Sequence, residues 1–364
     1  MPAVTSRFHP LRVAEVRRET PDSVSVRFDV PAELADAYRF LPGQHLTLKA
    51  IVDGQELRRS YSICSAPNDG ELRVAIRQVP GGAFSAWANE RLQAGAPIEV
   101  MTPEGRFSPA LDPAGRNGAQ GAHYLLIAAG SGITPILSIA GAALSAEPAS
   151  RVTLLYGNRQ LASTMFREAL QDLKDRHLQR FAPFFVFSRE PQDAPLLSGR
   201  IDADKLRLFA RTVLRLDTVD AAYVCGPHAM IDAVQATLVE LGLPRERVHA
   251  ERFGTPGETM AAGLPAEGDA DAATVTFVLD GMRRDVTVRA ADPSILDAGL
   301  AAGLDLPYAC KGGVCSTCRA RLVEGEVRMA RNFALEPHEL DAGFVLACQC
   351  HALTRRVVLS FDER

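Results

Sequence analysis

The sequence predicts a multidomain chain: an antiparallel β-barrel first, an α/β domain on a parallel sheet second, and a small α+β unit last. Three patterns predict it. Apolar and polar residues alternate from Leu11 to about Pro103, longer apolar runs separated by helical stretches begin near Ala122, and short strand patterns return after Ala273. With 364 residues the chain is too long for one ordinary domain. Its 47% hydrophobic and 23% charged residues supply material for separate cores. A net charge of −4 argues against a nucleic-acid partner, which calls for a basic face. No apolar run reaches the eighteen residues of a membrane span, and MPAVTSRFHPL has no apolar h-region, so no secretory signal is expected.

Each element follows in order. LRVAEVRRE, SVSVRFDV, QHLTLKAIV, RSYSICS, ELRVAIRQV and PIEVMT alternate with period two between Pro, Gly and Asp turns. With one helical insert, FSAWANERL, they make the barrel, residues 1–113. HYLLIAAG, RVTLLYGN, FFVFSR and DAAYVCG then read as buried strands. The helical stretches ITPILSIAGAAL, TMFREALQDLKDR, ADKLRLFARTVL and HAMIDAVQATLVELG alternate with them, giving a parallel sheet over 118–253. Residues 254–273 are rich in Gly, Ala, Pro and acids, lack periodicity and read as a linker. In 274–364, TVTFVLDG and RRDVTVR form a hairpin, SILDAGLAAG a short helix, and RRVVLSF a last strand.

The strongest chemical signal is in that last unit. Cys310, Cys315 and Cys318 lie in CKGGVCSTC, and Cys348 follows thirty residues after Cys318. C-x4-C-x2-C…C is the spacing of a plant-type [2Fe–2S] site, with Gly312 and Gly313 letting the backbone wrap the core. A zinc site or scattered core thiols are the alternatives, though zinc favours paired knuckles. Cys350 would point the same way as Cys348 in an extended segment and is a rival ligand. Seven cysteines with four in this spacing suit a reducing cytosol, so a cytoplasmic location is expected.

Four further motifs carry polar chemistry. In Arg59-Ser60-Tyr61-Ser62, the ring, the hydroxyl and the cation suit a flat heterocycle, its polar edge and a pyrophosphate. An ordinary strand with an exposed Arg would look the same. Gly81-Gly82-Ala83-Phe84-Ser85 opens the helical insert, where Ser85 could cap the helix or bond a phosphate. Gly130-Ser131-Gly132-Ile133-Thr134-Pro135 joins a strand to a helix, with Pro135 in the first turn, where its missing N–H costs nothing. Cys225-Gly226-Pro227 ends a strand, where a buried core thiol is the usual outcome.

Together these motifs resemble the ferredoxin–NADP reductase superfamily. The resemblance implies that Arg59, Tyr61, Ser62, Arg77, Gly82 and Ser85 bind FAD. It implies that Gly130, Gly132, Thr134 and Pro135 receive the nicotinamide nucleotide, with Cys225, Gly226 and Pro227 beside the nicotinamide. Tyr61, Ser62, Thr134 and Cys225 are then the candidate catalytic residues. Phe253, in Glu251-Arg252-Phe253, either covers the flavin or is a core residue. Ser188-Arg189 resembles a pair that holds a 2′-phosphate, and Arg159 stands after the preceding strand with no acid beside it, so NADPH is the expected coenzyme.

The order of flavin, nucleotide and C-terminal ferredoxin units narrows the resemblance. RRSYSICS, GGAFSAW, GSGITPILSI, LLYGNR and CKGGVCSTC are similar to those of the reductase subunits of ring-1,2-phenylacetyl-CoA epoxidases. The likeness extends over essentially the whole chain and implies a β-grasp ferredoxin unit. It also implies electron flow from NADPH through FAD and the [2Fe–2S] cluster to a di-iron oxygenase component of a multisubunit complex. Reductases of ring-hydroxylating dioxygenases or other monooxygenases are the alternative, and a redox sensor is a further one. A sensor, however, has no use for two nucleotide-binding units.

Overall fold

The computed structural model describes residues 7–112, 121–254 and 268–363. Most of the predicted linker, and the boundary between the first two predicted domains, lie outside the described residues. The chain divides into two compact units, residues 9–57 with 61–252, and residues 253–364 grouped with 1–8 and 58–60.

Apart from Phe8 and residues 58–60, the first unit opens with β1 (Phe8–Thr20), β2 (Ser23–Asp29), β3 (His45–Val52), β4 (Gln55–Ser62), β5 (Leu72–Arg77) and β6 (Pro97–Met101), with α1 (Ala83–Glu90) between the last two. The sheet order is β4-β3-β6-β1-β2-β5. Ile63, just past β4 at one end of that order, bridges Val74 of β5 at the other, which curls the sheet into a barrel. The period-two pattern has its expected meaning. Leu11, Val13, Val24, Val26, Leu46, Leu48, Val74 and Ile76 face one core, and Phe84 of α1 closes it.

The same unit continues with β7 (His123–Ala129), α2 (Ile133–Ala146), β8 (Arg151–Asn158), α3 (Arg167–Arg176), β9 (Phe181–Phe187), α4 (Ala203–Thr212), β10 (Ala221–Gly226), α5 (His228–Glu240) and β11 (Val248–Arg252). These five strands form one sheet, β11-β10-β7-β8-β9, and every neighbouring pair is parallel. β11 goes beyond the strands that the sequence predicts; its five residues are too few and too polar to show a pattern. Helix α2 is buried along most of its length, which explains its nearly unbroken apolar sequence. Ser138 on α2 donates a 2.7 Å hydrogen bond to the carbonyl of Ser65, tying the helix to the barrel. The expected start of α3 at Thr164 is wrong: Phe166 is left-handed at φ 56°, so the helix begins only at Arg167.

The second unit contains β12 (Ala272–Leu279), β13 (Met282–Arg289), α6 (Ile295–Ala301), β14 (Arg319–Glu324), β15 (Val327–Met329), α7 (Pro337–Asp341), β16 (Phe344–Leu346), β17 (Cys350–Ala352) and β18 (Arg356–Ser360). Its main sheet runs β13-β12-β18-β14-β16. The predicted hairpin is β12–β13, with all eight residues in register. Ser294 caps α6 through the N–H of Asp297 at 3.1 Å. Val275, Phe277, Ile295, Leu296, Leu346, Val357, Leu359 and Phe361 make a core of their own.

Candidate redox sites in the two units

The parallel sheet has its topological switch between β7 and β10. There β8 and β9 leave on one side, and β10 and β11 on the other. In open α/β sheets ligands bind at such a point, outside the carboxyl ends of the strands. Gly130–Gly132 follows β7 there as a 3₁₀ turn, with Gly130 at φ 55°. The hydroxyl of Tyr156 donates to the Gly130 carbonyl at 3.0 Å, and the Arg77 guanidinium lies beside Gly130. Arg77 also pairs with Asp22 at 2.8 Å. Gly132 is forced by packing: a Cβ there would lie 2.2 Å from the Cys225 carbonyl oxygen. Thr134 is buried and turns its hydroxyl to the Ser131 carbonyl at 3.0 Å, and Pro135 falls in the first turn of α2.

Barrel and sheet meet at this place. Ser62, at the end of β4, donates a 3.0 Å hydrogen bond to Glu251 Oε2. Glu251 is the register partner of Cys225 across β10–β11. Burial pushes the Glu251 carboxyl up to about 8, against the opposing pull of the Ser62 hydrogen bond. Burial likewise pushes the Cys225 thiol well above its ordinary value, so it stays protonated and is no nucleophile. Tyr61 stands one residue away on β4, its ring centroid 5.8 Å from that of Phe84. Sequence reasoning misses Glu251 as a functional residue. Its only signal is its place on the last strand, two residues before Phe253.

One expectation about the flavin motif changes. Ser85 does not cap α1. The N-cap is Gly82 without a side-chain bond, and Ser85 lies one turn in, accepting from the Val79 N–H and donating to the Gly82 carbonyl, each at 3.0 Å. The N–H groups that open α1 thus carry no side-chain cap. Arg59 is exposed on β4 and donates to the Arg58 carbonyl at 2.7 Å. Gly226 and Pro227 lead into α5, Pro227 as its N-cap. Phe253 falls in the other unit.

At the ends of β8 and β9 the backbone joins the two basic segments. The N–H of Ser188 reaches the Asn158 carbonyl at 2.9 Å, and that of Arg189 reaches the Arg159 carbonyl at 2.8 Å. Both arginines and Ser188 are exposed. The neighbouring acid, Glu190, accepts from the Leu161 N–H at 2.8 Å.

In the second unit the four cysteines converge two by two. The Cys310 thiol is pulled down by a hydrogen bond from Cys315 and, against the upward push of burial, by the backbone N–H groups of Gly312, Val314 and Cys315, while the coupled Cys315 thiol is pushed up. Cys318 is raised by a hydrogen bond with Cys348, by burial and by the nearby Cys315 and Cys310. Among the described residues no three His, Cys, Asp or Glu side chains are gathered around one metal position. Pairs of thiols with inward N–H groups fit a two-iron cluster better than one zinc ion. Lys311 and Ser316 are left-handed at φ 51° and 53°, strain that a ligand-wrapping loop tolerates. Lys311 is anchored to Asp297 of α6 at 2.7 Å. The expected alignment of Cys348 with Cys350 fails, because Ala347–Gln349 is a 3₁₀ turn and breaks the period of two. All seven cysteines are free thiols.

Comparison with known proteins matches these regions one by one. Residues 10–108 match an oxidoreductase FAD-binding domain, 126–236 an oxidoreductase NAD-binding domain, and 277–353 a 2Fe-2S iron-sulfur cluster binding domain. The chain is 48% identical over 359 residues to a subunit of the 1,2-phenylacetyl-CoA epoxidase of Escherichia coli K12, covering 98% of each. It belongs to that family. It is also 34% identical to the ferredoxin reductase component of 3-ketosteroid-9-alpha-monooxygenase of Rhodococcus rhodochrous, over 98% of this chain and 97% of that one. Phthalate dioxygenase reductase shares the fold, with a TM-score of 0.59 and 24% identity over 97% of this chain and 98% of the other. The chain is thus an oxidoreductase with FAD, NAD and [2Fe–2S] domains. No helix among the described residues is long and apolar enough to cross a membrane.

Proposed function

We propose that this chain is the cytoplasmic reductase component that carries electrons from NADPH to the di-iron oxygenase component of a phenylacetyl-CoA epoxidase complex. The observation that carries the reading is the meeting of Ser62, Glu251, Cys225 and Gly132 at the switch point of the sheet. When bound, FAD would supply hydride acceptance with one-electron release, and the [2Fe–2S] cluster one-electron transfer.

The chain's own residues then do the positioning. Tyr61 offers its ring to the flavin and Ser62 its hydroxyl to the polar edge. Arg59, Arg77, Gly82 and the opening turn of α1 with Ser85 serve the pyrophosphate side. Gly130, Gly132, Thr134 and Pro135 receive the nicotinamide nucleotide, and Cys225, Gly226 and Pro227 limit where its ring can lie. Glu251, protonated near neutral pH by its burial, keeps the Ser62 hydroxyl oriented without placing a charge there. Cys310, Cys315, Cys318 and Cys348 would hold the [2Fe–2S] cluster.

Ser188, Arg189 and Arg159 favour NADPH over NADH. They gather two exposed cations and a hydroxyl where the 2′-phosphate would sit, and neither arginine has an ion-pair partner among the described residues. A second reading, service to a different oxygenase, draws on the 34% identity to the ketosteroid monooxygenase reductase.

The test is coupling. With NADPH and purified phenylacetyl-CoA epoxidase oxygenase component, the chain is expected to support epoxide formation. Reduction of cytochrome c without epoxide formation would overturn the partner and leave the reductase standing.

A further inference from the structure

We propose that Gln349 ties together the two segments that carry the cluster cysteines and raises the cluster's reduction potential through the sulfur of Cys348. The inference rests on the reading of the four cysteines as [2Fe–2S] ligands and adds to it a residue that is not a ligand.

Gln349 ends the 3₁₀ turn that begins just before Cys348 and is 1% exposed. It is the one glutamine in the sequence after residue 253. Its Nε2 lies 2.9 Å from the Lys311 carbonyl, 2.9 Å from the Cys348 carbonyl and 3.7 Å from Cys348 Sγ. Two carbonyls around one end of the amide require the nitrogen to be there, because only the NH₂ can donate. The first of these bonds spans 38 positions, from the residue after Cys348 to the residue after Cys310. Gly313, at φ 77°, closes on the same side chain: a Cβ there would lie 3.2 Å from Gln349 Cγ. The amide Oε1, by contrast, is buried without a partner. A half-satisfied amide is an expensive way to fill a core, and an apolar side chain would do it at lower cost. The nitrogen end is where this side chain has a role.

Two consequences follow from the chemistry. The Lys311 bond holds the loop 310–318 against the segment of Cys348, so the four thiols keep their spacing. The NH₂ has two hydrogens for three acceptors, so the one on the Cys348 side is shared between that residue's carbonyl and its Sγ. An N–H shared with a thiolate sulfur stabilises negative charge on it, and the reduced cluster carries one more negative charge than the oxidised one. The reduced state therefore gains more, and the potential rises.

The experiment compares the FAD- and cluster-loaded chain with its Gln349→Met variant, which keeps the length of the side chain and removes both N–H groups. Midpoint potentials come from redox titration read by EPR, and cluster retention from the decay of visible absorbance in chelator. The expected result is a potential shifted to more negative values with faster cluster loss. An unchanged potential would overturn the proposal, and faster loss at an unchanged potential would do so too, leaving only a tether. If the variant takes up no cluster, the unsubstituted chain carrying 15N at glutamine side-chain nitrogens is examined by pulsed EPR in the reduced state. A 15N coupling supports the proposal and its absence overturns it. An unsubstituted chain that binds no [2Fe–2S] cluster would instead overturn the underlying assignment, and this inference with it.

Discussion

The residues around Ser62 and Glu251 and those around Cys310, each proposed to hold a redox group, are built from different materials. The first set comes from the ends of strands β4, β7, β10 and β11, positions up to 189 apart in the chain. These strands are fixed by cores that exist without any ligand, such as Leu125, Ile127, Leu155, Val224 and Val234 in the nucleotide half. The second set comes from one nine-residue stretch, Cys310–Cys318, and a cysteine thirty positions on. Its backbone is irregular, left-handed at Lys311, Gly313 and Ser316, and it presents thiols rather than a filled core. A site on strand ends is shaped before its ligand arrives. A site on a strained loop depends on its metal for much of its order.

Removing one cluster ligand is the hardest blow to that contrast. Cys318→Ser is expected to abolish the visible absorbance and reduced-state EPR signal of the cluster while FAD remains bound at full stoichiometry. Loss of flavin along with the cluster would mean that the two regions are not independent. A smaller but sizeable effect is expected from crowding the preformed site. Gly132→Ala places a methyl group where the Cys225 carbonyl already lies, and should cost about 1–3 kcal/mol of stability, as for other overpacked positions. It should also slow flavin reduction by NADPH, with denaturant midpoints and stopped-flow traces as the readouts. A normal rate at a normal midpoint would show that the switch point is more pliant than its packing implies.

The smallest effect concerns the rim. Arg189→Ala is expected to weaken NADP⁺ by roughly 1–3 kcal/mol, the range for a hydrogen bond to a charged group, while leaving NAD⁺ binding nearly unchanged. Fluorescence titration with both nucleotides checks it. Equal losses for both would refute the assignment of Arg189 to the 2′-phosphate.

The same contrast explains what is legible in the sequence. Strands such as HYLLIAAG and SVSVRFDV can be read because burial imposes a period on their residues. The cluster cysteines can be read because a compact ligand set needs a short, fixed spacing. Glu251 cannot, since its meaning arises only when β11 lies beside β10 and faces a barrel strand. Gln349 is hidden for a similar reason: its partner Lys311 is 38 residues away, and a buried amide leaves no pattern. Ser85 suggests a cap because serine near a helix start usually is one, yet the backbone of Val79 claims its hydroxyl. Cys350 is a rival ligand only if the chain is extended, and the 3₁₀ turn at Ala347–Gln349 removes that condition.

The central claim is that hydride enters at the strand-end site and single electrons leave through the loop. An anaerobic titration of the FAD- and cluster-loaded chain with NADPH, followed by absorbance and EPR together, tests it most directly. Flavin bleaching is expected to be accompanied by the EPR signal of the reduced cluster. A bleached flavin beside a cluster that stays oxidised would contradict it.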